Sequence, residues 1–341
     1  MFIKRNIKVT IKDIAKKCDV STQTVSRVIN NRPDVSPLTR EKVQTVIKEM
    51  GYYPSAVARS LVKQNSLTIG VVMGGLRYLG VSNTLDGITE ACEEAKYSLL
   101  INQVFQIDSP NIVHFIETLM QQQVEGIIFA VPDVNDNIRI TKQRLPADCP
   151  PIVFLKCEPD LNFTTLNIDN YGGAKKAVDY LVSIGRHHVG LLAGPLSWLE
   201  ARQRKKGWED ALKQYGIEIS SRNWAEGDWS SSSGEKAFSE LHEKFPEMDA
   251  VFASNDQMAL GAMYYSNLHG IRIPQDIAFV GFDDWPEGAY FSPALSTVTH
   301  PLRALGSQAV KVLLEMIHTK SDMKTGRVIT LETGLIIRES S

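Results

Sequence analysis

The spacing of apolar residues changes character once along this chain, near residue 66. Before it, apolar positions recur at helical spacing. Val43, Val46, Ile47 and Met50 fall at i, i+3, i+4 and i+7, one face of a helix that Ser36-Pro37 opens and Gly51 ends. Thr10 followed by Asp13 is a capping-box pattern, predicting an earlier helix to about residue 17. After the turn Cys18-Asp19-Val20-Ser21, a second helix is expected over about 22–30. Its apolar side (Val25, Val28, Ile29) would pack on Ile14 and Ala15 of the first. From residue 67 onward, β-rich apolar runs at 68–73, 99–105, 126–131, 152–156, 188–193, 250–253 and 277–282 alternate with amphipathic stretches near 83–96, 110–122, 170–185, 199–215, 231–245 and 256–270. A helix at 302–318 and short strands at 328–331 and 335–337 close the chain. Strand and helix in alternation predict an α/β fold of parallel sheets covered on both faces. The number of units is too large for one small sheet and predicts two similar lobes.

The expected organisation is a three-helix head over 1–53, a linker over 54–66 and a body over 67–341. The body divides into an N-lobe (about 67–168 and 299–326) and a C-lobe (about 169–298 and 327–341). The linker is short, small-residued and helix-capable but has no core of its own, so it is at most conditionally helical. At 43 % hydrophobic and 22 % charged residues the chain can bury a sizeable core, which excludes general disorder. No run approaches the roughly eighteen apolar residues of a membrane span, and the first residues carry no secretory pattern, so the expected location is cytoplasmic. Cys18, Cys92, Cys149 and Cys157 form no C-x-x-C pair and have no zinc spacing. Reduced thiols are expected, with no metal and no cofactor.

Charge adds more. Residues 1–66 hold 13 Lys and Arg against 5 Asp and Glu, a net of +8, while the remainder carries −10. A basic head on an acidic body is suited to meeting a polyanion. Helix, short turn, helix at this length is the shape of a helix-turn-helix. On its second helix Thr22, Gln23, Ser26 and Arg27 share a polar face. Gln can pair bidentately with adenine and Arg with guanine, at about 1–3 kcal/mol of discrimination each. Ser and Thr hydroxyls at helix N-termini suit phosphates.

These residues stand in a longer pattern. Val9-Thr10-Ile11-Lys12-Asp13-Ile14-Ala15, Val20-Ser21-Thr22-Gln23-Thr24-Val25-Ser26-Arg27-Val28-Ile29-Asn30, Val35-Ser36, Thr39-Arg40-Glu41-Lys42-Val43 and Gly51-Tyr52-Tyr53-Pro54 together resemble the LacI/GalR family of bacterial repressors. The resemblance implies a homodimer that sets two recognition helices in successive major grooves of near-palindromic double-stranded operator DNA. It implies DNA contacts from Thr10, Ser21, Thr22, Gln23, Thr24, Ser26, Arg27, Asn30, Ser36 and Thr39. It also implies a hinge helix whose Ala58 and Leu61 enter the minor groove, Leu61 as a wedge between bases.

Ligands of open α/β sheets sit beyond the C-terminal ends of the strands. There this chain places Gly194-Pro195-Leu196-Ser197 with Arg202 and Arg204, then Trp229, then Ser254-Asn255-Asp256, then Asp283-Asp284. Arg, Asn and Asp each present two hydrogen-bonding atoms in a plane, as vicinal hydroxyls require. An indole offers an apolar surface to a sugar's C–H face. The stretches 190–197, 207–208, 226–230, 254–263 and 280–284 extend the resemblance into the body, which in the family is like periplasmic sugar-binding proteins. It implies effector contacts from Arg204, Trp229, Asn255 and Asp283, and from Gly74 and Tyr78 on the other lobe. Three N-lobe positions depart from the pattern: Ala130, Lys156 and Leu302, with His300 nearby. Lys156 leaves two readings open, a receptor for an anion such as a sugar phosphate or a solvated surface lysine. Trp208 reads as helix core and Asp284 as a turn cap; Trp198 and Trp285 either line the cleft or fill it.

No phosphate-binding loop, dinucleotide fingerprint or nucleophile elbow is present, and adjacent Asp283 and Asp284 make a poor acid–base couple. The expectation is a regulator, not an enzyme, whose operator affinity is controlled by a sugar or glycoside. Alternatives are a corepressor-type regulator using a non-sugar metabolite, a sugar phosphate or a partner protein and, more remotely, a sugar-transport binding protein. No leucine-heptad tail precedes Ser341, so a dimer is expected rather than a tetramer.

Overall fold

Three short helices build the head: α1 (Ile11–Cys18), α2 (Thr22–Ile29) and α3 (Pro37–Glu49). Each begins where a side chain satisfies an orphan amide. Both the Thr10 amide and its hydroxyl donate to Asp13 Oδ2, at 2.8 and 2.7 Å. Ser21 Oγ accepts from the Thr24 amide at 3.0 Å, and Ser36 Oγ from the Thr39 amide at 3.3 Å. Such caps contribute about 1 kcal/mol each. Ile14, Ala15, Cys18, Val25, Val28, Val35, Val43 and Val46 close into one small core.

This computed structural model describes residues 9–52, 65–107, 111–319 and 326–341. The chain divides into two compact units, Met1–Ser66 and Leu67–Ser341. Most of the linker, including Ala58 and Leu61, lies outside the described residues.

The body contains two six-stranded sheets. The first lobe's sheet is wholly parallel, ordered β11-β5-β4-β3-β1-β2. Its strands are β1 (Thr68–Met73), β2 (Ser98–Gln103), β3 (Gly126–Ala130), β4 (Ile152–Leu155), β5 (Thr164–Ile168) and β11 (Val328–Leu331). Helices α4 (Leu79–Glu94), α5 (Val113–Gln121), α6 (Asn137–Gln143) and α11 (Leu302–Thr319) belong to this lobe. α4 and α11 share a core on one face and α5 and α6 on the other. The second sheet is ordered β12-β10-β9-β8-β6-β7, parallel except for antiparallel β12. It comprises β6 (Val189–Ala193), β7 (Trp224–Glu226), β8 (Ala250–Ala253), β9 (Ala278–Asp283), β10 (Ser296–Thr299) and β12 (Leu335–Ile336). α7 (Asn170–Ser183) and α8 (Leu199–Gln214) cover one face; α9 (Ser231–Lys244) and α10 (Asp256–Leu268) cover the other.

The chain crosses between lobes three times, after β5, β10 and β11. This corrects the expected C-lobe start at 327. β11 pairs with β5 over Val328↔Thr165 to Leu331↔Ile168, so it closes the first lobe's sheet edge and the final crossing comes after Leu331. Helices α4 and α11 approach closely at glycines: a Cβ on Gly87 would lie 2.0 Å from the Arg303 carbonyl oxygen, and one on Gly306 2.2 Å from that of Thr84. Trp208 is core, fully buried with Nε1 donating to the Val189 carbonyl at 3.3 Å. The four cysteines are free thiols, Cys149 half-buried and the others buried.

Candidate functional site

On the head, Ser21, Thr22, Gln23 and Arg27 are exposed along α2, while Thr24, Ser26 and Asn30 are half-buried. Arg27 is paired with Asp34 at 3.3 Å, both about half-exposed. Such a surface pair is worth less than about 1 kcal/mol, so the Arg27 guanidinium can leave it at small cost. Asn30 is tied back to the Ser26 carbonyl at 2.8 Å. Thr10, Ser21 and Ser36 stand at three helix N-termini, where free amides and the helix dipole attract phosphate.

In the body, a cleft lies between the lobes at the C-terminal ends of the strands. Tyr78, Leu79, Gly80, Val81 and Lys156 line it from the first lobe. Trp198, Glu200, Arg204, Trp229, Asn255, Gln257 and Asp283 face them from the second, with His300 on the crossing after β10. Trp198 joins the lobes: its ring meets Tyr78 at 5.1 Å and Trp229 at 5.9 Å, and its backbone bridges to Val134. Beside it the Leu199 amide donates to the Asp133 carbonyl at 3.0 Å and the Asn135 amide to that of Ser197 at 3.3 Å.

Arg204 is the anchor of the second lobe. Only 3 % exposed, it donates from Nε to Asn170 Oδ1 at 2.9 Å and from an amino group to the Ser254 carbonyl. Its guanidinium lies 3.7 Å over the Phe282 ring and 3.7 Å from Asp283. Asn255 caps α10 by accepting from the Met258 amide and donates from Nδ2 to the Trp229 carbonyl, both at 2.9 Å. Lys156 and Glu200, 6 % and 7 % exposed, pair across the lobes at 3.2 Å. Burial pushes the Glu200 carboxyl up, but Lys156 and Arg204 outweigh it and hold it below the ordinary range. Beneath the cleft Asp256 is wholly buried; burial and neighbouring Asp283 push its carboxyl well up. It accepts from the Thr297 hydroxyl at 2.6 Å and the Trp285 amide at 2.7 Å.

Four residues at or beside the cleft hold a left-handed backbone, as do seven other non-glycine residues elsewhere among the described residues. Lys156, Trp229, Asp283 and Asp284 have φ of +54°, +77°, +121° and +53°. Such conformations cost on the order of 1–3 kcal/mol each and persist where surrounding structure holds them, often at binding sites.

Five of the six expected effector residues therefore meet at one cleft: Tyr78, Arg204, Trp229, Asn255 and Asp283. The sixth does not. Gly74 is buried at the end of β1 with its Cβ position 3.0 Å from Pro132, and the first lobe's wall is formed instead by residues 78–81. Ala130 and Leu302 are buried in the first lobe's core. Asp284 pairs with Arg338 at 2.9 Å. Lys156 is not a solvated lysine, and Glu200, its partner, was missed by sequence reasoning. Glu200 stands two residues after Trp198, and no local signal distinguished it from an ordinary acidic residue in a helix's first turn.

The profile for bacterial regulatory proteins of the lacI family matches residues 10–55, and that for a periplasmic binding protein-like domain matches 178–341. The Lactose operon repressor of Escherichia coli strain K12 is 34 % identical over 312 residues, covering 90 % of this chain and 84 % of its own. This chain belongs to the LacI family. The PurR HTH-type transcriptional repressor of Klebsiella pneumoniae strain 342 is 32 % identical over 315 residues, 92 % of both chains. Among solved structures, the lac repressor dimer bound to operator and the anti-inducer ONPF aligns with a TM-score of 0.88 at 31 % identity, over 97 % of this chain and 98 % of that one. The LacI-family relatives are transcriptional repressors, not enzymes, and this protein shares their helix-turn-helix head and ligand-binding type of body. No helix among the described residues is long and apolar enough to cross a membrane.

Proposed function

We propose that this LacI-family protein is an effector-controlled repressor whose homodimer binds a near-palindromic operator and whose cleft takes a neutral sugar or glycoside. The observation that carries the ligand class is the charge balance of the cleft. Its two cationic side chains, Lys156 and Arg204, each have a carboxylate within reach, Glu200 at 3.2 Å and Asp283 at 3.7 Å. A phosphate would add negative charge to a desolvated site whose cations are already matched, which is costly. A neutral polyol meets no such penalty. Tyr78, Trp198 and Trp229 supply flat apolar walls for its C–H faces. The paired planar groups of Arg204, Asn255 and Asp283 suit its hydroxyls.

In this reading α2 reads the major groove through Gln23 and Arg27, with Thr22 and Ser26 beside them and the capping hydroxyls near phosphates. Ala58 and Leu61 belong to the hinge. Exposed Phe105, Tyr264, Leu268 and Tyr290 give the body apolar surface to bury in a dimer. Sugar binding changes the lobes' relative orientation and with it the spacing of the two linkers. By linkage, operator and sugar must change each other's affinity by the same factor.

The test is operator binding by fluorescence anisotropy at fixed salt, using a near-palindromic site from upstream of the protein's own gene. Mono- and disaccharides, methyl glycosides and sugar phosphates are added in turn. A neutral sugar that weakens binding is the expected result. Response to a phosphorylated sugar alone refutes the ligand class, and a compound that tightens binding makes the protein a corepressor-type regulator.

A further inference from the structure

Two buried polar atoms on the wall of the cleft have no partner: His300 Nε2 and Trp229 Nε1. They are of opposite kinds. An indole N–H can only donate. The other ring nitrogen of His300, Nδ1, lies 3.0 Å from Asp283 Oδ1. A carboxylate oxygen accepts, so Nδ1 carries the proton and Nε2 presents a lone pair. The imidazole is 8 % exposed and packed edge-on against Phe282 at 5.3 Å, so it is held in place. Burial, which outweighs Asp283, keeps it neutral at neutral pH. The charged groups around it are Asp283 from β9, Glu200 and Arg204 from α8, and Lys156, the partner of Glu200, from the segment after β4.

One acceptor and one donor, both buried and both unsatisfied, are matched by a molecule offering an O–H and a nearby oxygen. We propose that His300, fixed in one tautomer by Asp283, selects the effector by accepting a hydrogen bond from one specific hydroxyl at Nε2, while Trp229 Nε1 donates to a neighbouring effector oxygen. The inference rests on the sugar reading above and narrows it. The effector carries a free hydroxyl against His300, and a methyl ether there fails as a deoxy sugar does, because an ether oxygen has no proton to donate. Tyr78, Trp198 and Trp229 read apolar faces and tolerate many sugars; His300 distinguishes among them.

The experiment uses the full chain labelled with ¹⁵N-histidine. D-Glucose, D-galactose, D-ribose and methyl β-D-galactoside are added in turn, with tryptophan emission reporting binding. The His300 resonances are assigned by their loss in His300→Gln. In the sugar-free protein Nδ1 is expected protonated and Nε2 unprotonated. A sugar that binds should shift Nε2 in the direction of an accepted hydrogen bond. Its derivative with the contacted hydroxyl deleted or methylated should bind roughly tenfold or more weakly, since a buried acceptor is left unpaired. That discrimination should persist in His300→Gln, whose side chain retains an accepting oxygen, and vanish in His300→Leu. A protonated Nε2, or a bound sugar that leaves Nε2 unmoved, overturns this inference alone. If no sugar in the series changes tryptophan emission, the sugar reading fails and takes this inference with it.

Discussion

Replacing Lys156 with Ala separates the two lobes' electrostatics cleanly. Lys156 follows β4 in the first lobe and Glu200 opens α8 in the second, so their 3.2 Å pair is one of the few charged contacts spanning the cleft. Both are more than nine-tenths buried. Removing one partner of such a pair costs about 3–5 kcal/mol, because the other charge stays desolvated. Glu200 would keep some attraction from Arg204, so we expect about 3 kcal/mol, the lower end. All five tryptophans, at 198, 208, 224, 229 and 285, lie in the body, so urea unfolding followed by tryptophan emission reports the body alone. The midpoint should fall with little change in slope. The pH dependence carries the sign. In the parent, the Glu200 carboxyl sits below its ordinary value of 4.5, so its contribution is present above that value and is lost as pH falls through the folded value. Without Lys156, burial dominates and lifts the folded value above the unfolded one. The ionised carboxylate is then a cost that protonation relieves. The gap between parent and variant should therefore narrow on acidification through about pH 4.5. Converting the pair to Met and Leu should restore the body to within about 1 kcal/mol of the parent. A loss under about 1 kcal/mol in Lys156→Ala, or a gap unchanged by acid, would refute the reasoning.

Arg27→Ala should remove about 1–3 kcal/mol of preference for operator over scrambled DNA at fixed salt; an unchanged ratio removes α2 from base readout. Arg204→Ala should make operator titrations with and without sugar coincide, and a preserved sugar shift would place the effector elsewhere. Gly87→Ala should destabilise the body by about 1–3 kcal/mol or more, since its Cβ meets the Arg303 backbone; a melt matching the parent's would mean α4 and α11 can part freely.

The head was legible almost residue by residue, because its signals are local. Thr10 and Ser36 sit where caps were expected, Ser21 at the end of the expected turn caps the second helix, and the 43, 46, 47, 50 stripe faces the core or its margin. The strands of two-sided buried sheets were legible as continuous apolar runs. Elements without such runs were missed. α6 is seven residues long, and β7 is three. β5 (Thr-Thr-Leu-Asn-Ile) and β10 (Ser-Thr-Val-Thr) carry hydroxyls on buried strands, a pattern that resembles exposed chain until their partners are known. Thr297 is buried because its hydroxyl donates to Asp256, 41 residues away in sequence. The division of the last strands went wrong for a similar reason: β11 pairs with β5, and nothing near residue 328 says which sheet it joins.

The candidate cleft divides along the same line. Sequence predicted the class of side chain at strand ends, and the family resemblance singled out the second lobe's Arg204, Trp229, Asn255 and Asp283, because these lie within recognisable stretches of one lobe. Tertiary structure alone decided what faces them. Lys156 meets Glu200 and Trp198 meets Tyr78 because the chain crossings bring two separately folded lobes together, while His300 reaches Asp283 because β10 pairs alongside β9. Capping, periodicity and turn chemistry act over a few residues, so sequence carries them openly. Charge pairing and burial depend on which distant surfaces are brought together, and that becomes visible only when the chain is folded.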